Sequence, residues 1–458
     1  MKKFTRSTRA ITKMQIVALI VVIAVAGIAG AVVYYYTLPP RREQTILTLW
    51  THITEASGGG YWWKSLNESC MEYSASVQNS TYIDIKGGHA LYTGTGLTEL
   101  ITYALSNEGP DIVSMHTVLL RDLVDRGIIV EPPQEIQDYV RSNWIDWMVD
   151  AVSYKGKIWG IPGGAGANHY MLIYHKDRAR QAGLDADTGP QTWAELREWA
   201  NRLTVRDPGT GDVVRAGLYL FYQYPQAAWS INFWDPLVGF IYTAGGDIYD
   251  AKGNRLLLNS SRCIETIRLF YDMIVTDKST SVGLGISYTD LDKYSMIICG
   301  SWFDGVLRAV PTSDWVGNAT AVPLPRPSVY DPLITSGYTW GLFVTKDCTN
   351  LKAAWDFLKW YSGDGRNSKF MGLCACFTGK LSELNQPYMS RVAPAQYYQA
   401  FLNMMNYSKP INYFPHYFEI TESVFWPALD DIFLGGADIK TRLDEAVASA
   451  TQILQRED

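Results

Sequence analysis

The sequence predicts a two-lobed α/β protein with a hinged cleft between its lobes, set behind an N-terminal transmembrane helix. Three observations predict it. The chain has 458 residues, too many for a single core. In its middle, two apolar runs suited to strands meet across a glycine-rich stretch, a sensible place for a hinge beside a cleft. At its start, residues 14–36 are uncharged and almost wholly apolar.

The N-terminal element comes first. Residues 1–13 form a basic leader with Lys2, Lys3, Arg6, Arg9 and Lys13 and no acid. The apolar run 14–36 would span about 34 Å as a helix, enough to cross a bilayer. The basic flank predicts a cytoplasmic N-terminus and an external remainder. No Ala-x-Ala site clearly ends the run and no cysteine precedes Cys70, which excludes a cleaved signal peptide of ordinary form and a lipoprotein anchor. What remains is an uncleaved anchor or a pilin-like leader, and Arg9-Ala10 followed by ITKMQIVALIVV resembles the class III leader of archaeal type, in which a basic segment is removed and the helix stays. Residues 37–45 are a short Pro/Arg linker.

The central stretch runs from Ser153 to Leu203. Tyr154-Lys155-Gly156-Lys157 is a polar turn, and Ile158 to Ile161 is an apolar β-run stopped by Pro162. GGAGANH then reads as a flexible loop, and Tyr170 to Tyr174 as a buried strand. Lys176 to Gly183 is a short helix. Thr192 with Glu195 is a capping box opening an amphipathic helix whose apolar face carries Trp193, Leu196, Trp199, Ala200 and Leu203.

That order of pieces closely resembles the family 1, sugar-type extracellular solute-binding proteins of ABC transporters, the maltose-binding-protein-like group. Their Tyr-x-Gly-Lys, Gly-x-Pro, Ala-Gly-Leu and Thr-Trp-x-Glu-Leu segments are met almost position for position here. The resemblance implies a periplasmic-binding-protein-like fold of class II type. It divides the chain into a first lobe at 46–163, a second at 164–336, a return to the first at 337–376 and C-terminal helices of the second at 377–458. Crossings are expected near 162–166, 333–340 and 372–382.

The resemblance also places ligand contacts. Strand 46–50 delivers Trp50 and His52 to the cleft mouth, and GPDIVSMH brings His116 there. Asn168 and Tyr338 come from the hinge, with Trp340 beside it. From the second lobe come Trp229, which shares an aromatic loop with Tyr222, Tyr224 and Trp234, and Trp302 at the end of KYSMIICGSW. Asp304 adds a carboxylate next to Trp302. Rings for the C–H face of a sugar and polar groups for its hydroxyls are the chemistry such a site needs. The sixteen Trp and twenty-nine Tyr suit it too, although most will be packing.

Composition closes off other functions. Residues 1–42 hold seven bases and no acid, which leaves 33 bases against 46 acids beyond them. A domain with that acidic excess is not a nucleic-acid binder. There is no phosphate-binding Gly-x-x-x-x-Gly-Lys-Ser/Thr, no His-Glu-x-x-His and no Gly-x-Ser-x-Gly. Cys374-Ala375-Cys376 has no second pair at zinc spacing, so no metal or other cofactor is expected. The six cysteines leave room for one or two disulfides, and five Asn-x-Ser/Thr sequons, at Asn67, Asn79, Asn259, Asn318 and Asn406, fit a glycosylated surface protein. The function expected from the resemblance is capture of a sugar or oligosaccharide by lobe closure and delivery to an ABC permease, without catalysis. The rival readings are a membrane-anchored glycoside hydrolase, which shares aromatic clefts and acids such as Glu419 and Glu422, and a carbohydrate sensor or adhesion ectodomain.

Overall fold

The structure of the chain, a computed structural model, describes residues 20–28, 44–221, 230–287, 289–373, 376–384 and 392–456. It falls into two compact units, 1–45 and 46–458. In the first, residues 20–28 are helical, and the rest of the expected 14–36 helix lies outside the described residues. Among the described residues no helix is long and apolar enough to cross a membrane.

The second unit is built on two sheets. In the first, the order is Ser408–Pro410, Thr335–Val344, Ile112–His116, Thr45–Thr51 and Thr81–Lys86, with Ile161–His169 also paired to Thr335–Val344. In the second, the order is Ala319–Val322, Met171–His175, Tyr294–Cys299, Val213–Tyr219 and Val205–Arg206. The inner strands of both are buried along their whole length, as strands covered on both faces must be. Their Val, Ile, Leu and aromatic runs are the apolar runs of the sequence.

Asp111 shows how a local motif sets this arrangement. One carboxylate oxygen accepts from the backbone N–H and hydroxyl of Thr48, and the other from the N–H and hydroxyl of Thr349. The Pro-Asp-Ile element thus pins the edge of the first strand to the loop before helix Leu351–Tyr361. Thr192 caps helix Trp193–Leu203 with the reciprocal Glu195 bond that the sequence predicts, and Leu196, Trp199, Ala200 and Leu203 are its buried residues.

The hinge region differs from expectation. GGAGANH is not a loop: strand Ile161–His169 runs through it, and the chain passes between the sheets at Tyr170, a few residues after 162–166. The glycines let the strand run against other backbone. Gly166 has φ +90°, and a Cβ there would lie 2.6 Å from Cys376 Cβ and 2.8 Å from the Phe377 carbonyl oxygen. The Ala167 N–H donates to that same Phe377 carbonyl, and Thr339 Oγ1 donates to the Gly166 carbonyl. The return strand begins at Thr335. Past residue 376 the chain does not leave the first sheet at once, since Phe377 bridges to Ala167, Lys380 to Trp144, and Ser408–Pro410 pairs with Thr335–Gly337.

The five described cysteines, Cys70, Cys263, Cys299, Cys348 and Cys376, form no disulfide with one another. Room for disulfides in the sequence is therefore not used among them. Burial pushes the thiols of Cys263, Cys348 and Cys376 up to about 12, so they behave as small apolar groups.

Candidate functional site

The C-terminal ends of the parallel strands deliver His52 and His116, and sheet register sets two of their neighbours. Trp340 is paired with His116 across the antiparallel Ile112–His116 and Thr335–Val344 strands. Tyr338, two residues earlier on the same face, is paired with Asn168. The result is a continuous aromatic cluster. His52 lies over Trp340 with centroids 3.7 Å apart, and Tyr92 meets both. His116 stacks on Tyr338 at 4.6 Å and meets the edge of Trp340 at 5.8 Å. Tyr170, the crossing residue, lies 5.5 Å from Tyr338.

Asp235 closes the cluster from helix Ser230–Thr243. It is fully buried and accepts a hydrogen bond from the Tyr413 hydroxyl at 3.0 Å. His116 Nε2 lies 3.8 Å from the same carboxylate, too far for a hydrogen bond. Burial pushes the Asp235 carboxyl well above the usual range, toward the protonated form. Burial first, then the neighbouring His52, lowers His116 to about 3; burial alone lowers His52 to about 3. Burial thus disfavours the charged form of both His116 and Asp235.

The His116 tautomer is fixed. Its Nδ1 accepts from the Val118 N–H at 3.1 Å, which leaves the proton on Nε2. That Nε2–H, and Nδ1 of His52, have no hydrogen-bond partner among the described residues although both are buried. Buried polar atoms without partners are uncommon and call for a ligand or water.

Trp302 and Asn168 form a second, smaller group. Trp302 is half-buried, 6.4 Å from the Phe221 ring at the end of strand Val213–Tyr219. Its indole folds back over Gly300, where a Cβ would come within 2.7 Å of Nε1 and 3.8 Å of Asn168 Oδ1. Asn168 Oδ1 also accepts from the Cys376 thiol.

Two expected residues stand elsewhere. Trp50 is taken up by the first sheet's own packing, stacked on His89 at 3.9 Å and edge-on to Tyr103. Asp304 is fully buried, with one oxygen accepting from the N–H groups of Val392 and Ala393 and the other from Arg308. Its carboxylate ties the chain at 392–393 to helix Phe303–Ala309, so it does not form the expected acid partner of Trp302. Trp229 lies outside the described residues, as do Tyr222 and Tyr224. Trp234 is core, between Tyr417 and Phe425. Conversely, nothing in the sequence marks Tyr92, Tyr413 or Asp235 as members of the cluster. Asp235 sits between Trp234 and Pro236, a context that reads as an ordinary helix acid.

The family comparison bears directly on this geometry. The family model described as bacterial extracellular solute-binding protein matches residues 79–366, which include both sheets' central strands and the Tyr338–Trp340 segment. The chain belongs to that family. Solved structures agree on the fold. An ABC substrate-binding protein from Listeria monocytogenes, in complex with cycloalternan, superposes with a TM-score of 0.73 at 17% identity, covering 90% of this chain and 100% of that one. The cyclic α-maltosyl-1,6-maltose binding protein from Arthrobacter globiformis gives 0.71 at 20% identity, over 90% and 99%. The maltose/maltodextrin-binding domain from Bdellovibrio bacteriovorus, bound to maltotriose, gives 0.70 at 16% identity, over 90% and 100%. No protein of curated function matches the chain by sequence. This solute-binding protein thus has the mixed α/β, two-domain fold of the maltose-binding group.

Proposed function

We propose that this solute-binding protein captures an uncharged sugar or oligosaccharide outside the cell between two hinged lobes, and passes it to an ABC permease. The single observation that carries the reading is the neutral aromatic cluster. It combines stacked rings with Asp235, whose carboxyl burial raises well above its usual range, and with the partnerless Nε2–H of His116 and Nδ1 of His52. Ring faces suit sugar C–H surfaces, and neutral donors and acceptors suit hydroxyls. An ionic solute would meet buried His52, His116 and Asp235, whose charged forms burial disfavours.

The lobes correspond to the two sheets, with Tyr170 and the entry to Thr335–Val344 as hinge crossings. The proposed ligand residues are His52, His116, Tyr338 and Trp340 from the cluster, with Asn168 and Trp302 facing them and Trp229 from the aromatic loop. Closure about the hinge buries the solute, and the closed form is what the permease reads. In this reading no bond is broken and no cofactor takes part. Residues 14–36 hold the domain at the membrane, with or without removal of the basic leader. Sequon residues Asn67, Asn79 and Asn406 are exposed and available to carry glycans.

A glycan array probed with the full chain tests the ligand class, and incubation of any hit with the protein separates binder from hydrolase. Retention of intact oligosaccharide is the expected result. Product release would overturn the reading, and so would an array on which only charged glycans bind.

A further inference from the structure

A cavity of about 250 Å³ lies on the other side of the hinge strand. Gly337 lines it, whereas the next residue, Tyr338, belongs to the aromatic cluster, and successive strand residues face opposite sides. The walls come from residues 117–121, 150–153 and 409–413. The volume equals that of about eight waters, enough for a molecule of roughly monosaccharide size.

The charged groups around it are unevenly matched. Arg121 is half-buried, with its guanidinium between the rings of Tyr154 at 5.3 Å and Tyr249 at 5.6 Å. It donates one hydrogen bond, to Asn412 Oδ1 at 2.9 Å, and among the described residues no carboxylate lies within ion-pair distance of it. Asn412 is itself fixed, since its Nδ2 donates to the Tyr249 carbonyl and its N–H to the Tyr242 hydroxyl. The guanidinium fork is therefore held in place with most of its donors unused. Lys409 also lines the cavity, paired with Asp247 at 2.7 Å and over the Tyr242 ring. The one acid on the wall is Asp150, a solvent-exposed carboxylate whose pKa partial burial first and then Asp146 raise.

We propose that this cavity is a second ligand site, separate from the aromatic cluster, for a small oxyanion, a carboxylate or phosphate held by the Arg121 fork with Lys409 beside it. A planar guanidinium binds such groups through two parallel N–H bonds, and the flanking rings prevent it from turning away. The hydroxyl-bearing Thr117 and Ser153 supply further polar wall, and Asp150 sets an upper limit on the charge the site accepts. Tyr413 is shared with the aromatic cluster, but Arg121 and Lys409 line only the cavity, so anion binding does not depend on a sugar occupying the cluster.

Calorimetric titration of the full chain with inorganic phosphate, and separately with malonate, tests it. At least one should bind at one per chain; phosphate alone would mark a phosphate site, malonate alone a carboxylate site. Arg121→Gln should weaken binding at least tenfold. Asp150→Asn should tighten it by about threefold or more, because a like charge is removed, and a damaged fold cannot produce a gain. Silence with both anions overturns the site. So does unchanged affinity in Arg121→Gln, or no gain in Asp150→Asn.

Discussion

At the scale of single residues, Trp302 separates ligand contact from packing. It is half-buried and rests on Gly300 rather than deep in the core. Trp302→Ala should weaken sugar binding by about 1–3 kcal/mol, the range for a buried aromatic contact, while the melting temperature changes little. A melting effect without an affinity effect would return Trp302 to the core. The buried histidines and Asp235 predict opposite pH responses. His52 and His116 titrate near 3 and His169 near 4 in the folded chain, against about 6.5 when unfolded. The unfolded state therefore takes up protons first, and stability should fall as pH drops from about 6.5 toward 3. Asp235 is raised, so its cost to stability grows as pH rises above its unfolded value of about 3.9. The melting difference between Asp235→Asn and the wild type should accordingly move in favour of Asn from pH 4 to pH 7. Movement the other way would mean that Asp235 is charged in the folded protein.

At the scale of elements, the informative case is strand Ile161–His169. Its glycines read as a flexible loop because glycine usually marks one. Here they serve a strand that other backbone approaches closely on one side, and that requirement is invisible without the partner segments 335–344 and 376–377. Gly166→Ala should destabilise the protein by about 1–3 kcal/mol, since both the positive φ and the Cys376 contact oppose a side chain. Thermal melting at fixed pH measures it; an unchanged melting temperature would mean that the strand can shift aside. Helix Trp193–Leu203 is the opposite case. Its cap, length and buried face were all legible, because a capping box and a 3.6-residue period are local properties.

At the scale of the whole molecule, the two sheets meet at more than the crossing strands. Turn Ser57–Gly60, beyond the first strand, packs against helix Phe303–Ala309, beyond Trp302. The halves are thus in contact across the side where His52 and Trp302 lie. If ligand capture works by closure, small-angle scattering should show a larger radius of gyration for the free protein than for the protein saturated with a bound glycan. Identical profiles at demonstrated saturation would count against closure while leaving the binding itself intact.

By itself the sequence determined the alternation of strands and helices, the family, and the expectation of aromatic rings together with His52, His116, Tyr338 and Trp340 at the site. Those are readable because period, capping and strand-end position are short-range properties of the chain. Only the tertiary structure decided which polar side chains were already committed. Asp304 looked like the acid for a sugar and is consumed by two backbone N–H groups and Arg308 from elsewhere in the fold. Asp235 looked like an ordinary helix acid and is fully buried beside His116, its carboxyl raised by burial, with Tyr413 reaching it from 178 residues away. Whether a carboxylate is free, paired or protonated depends on burial and on partners distant in sequence, and no local pattern of residues records either.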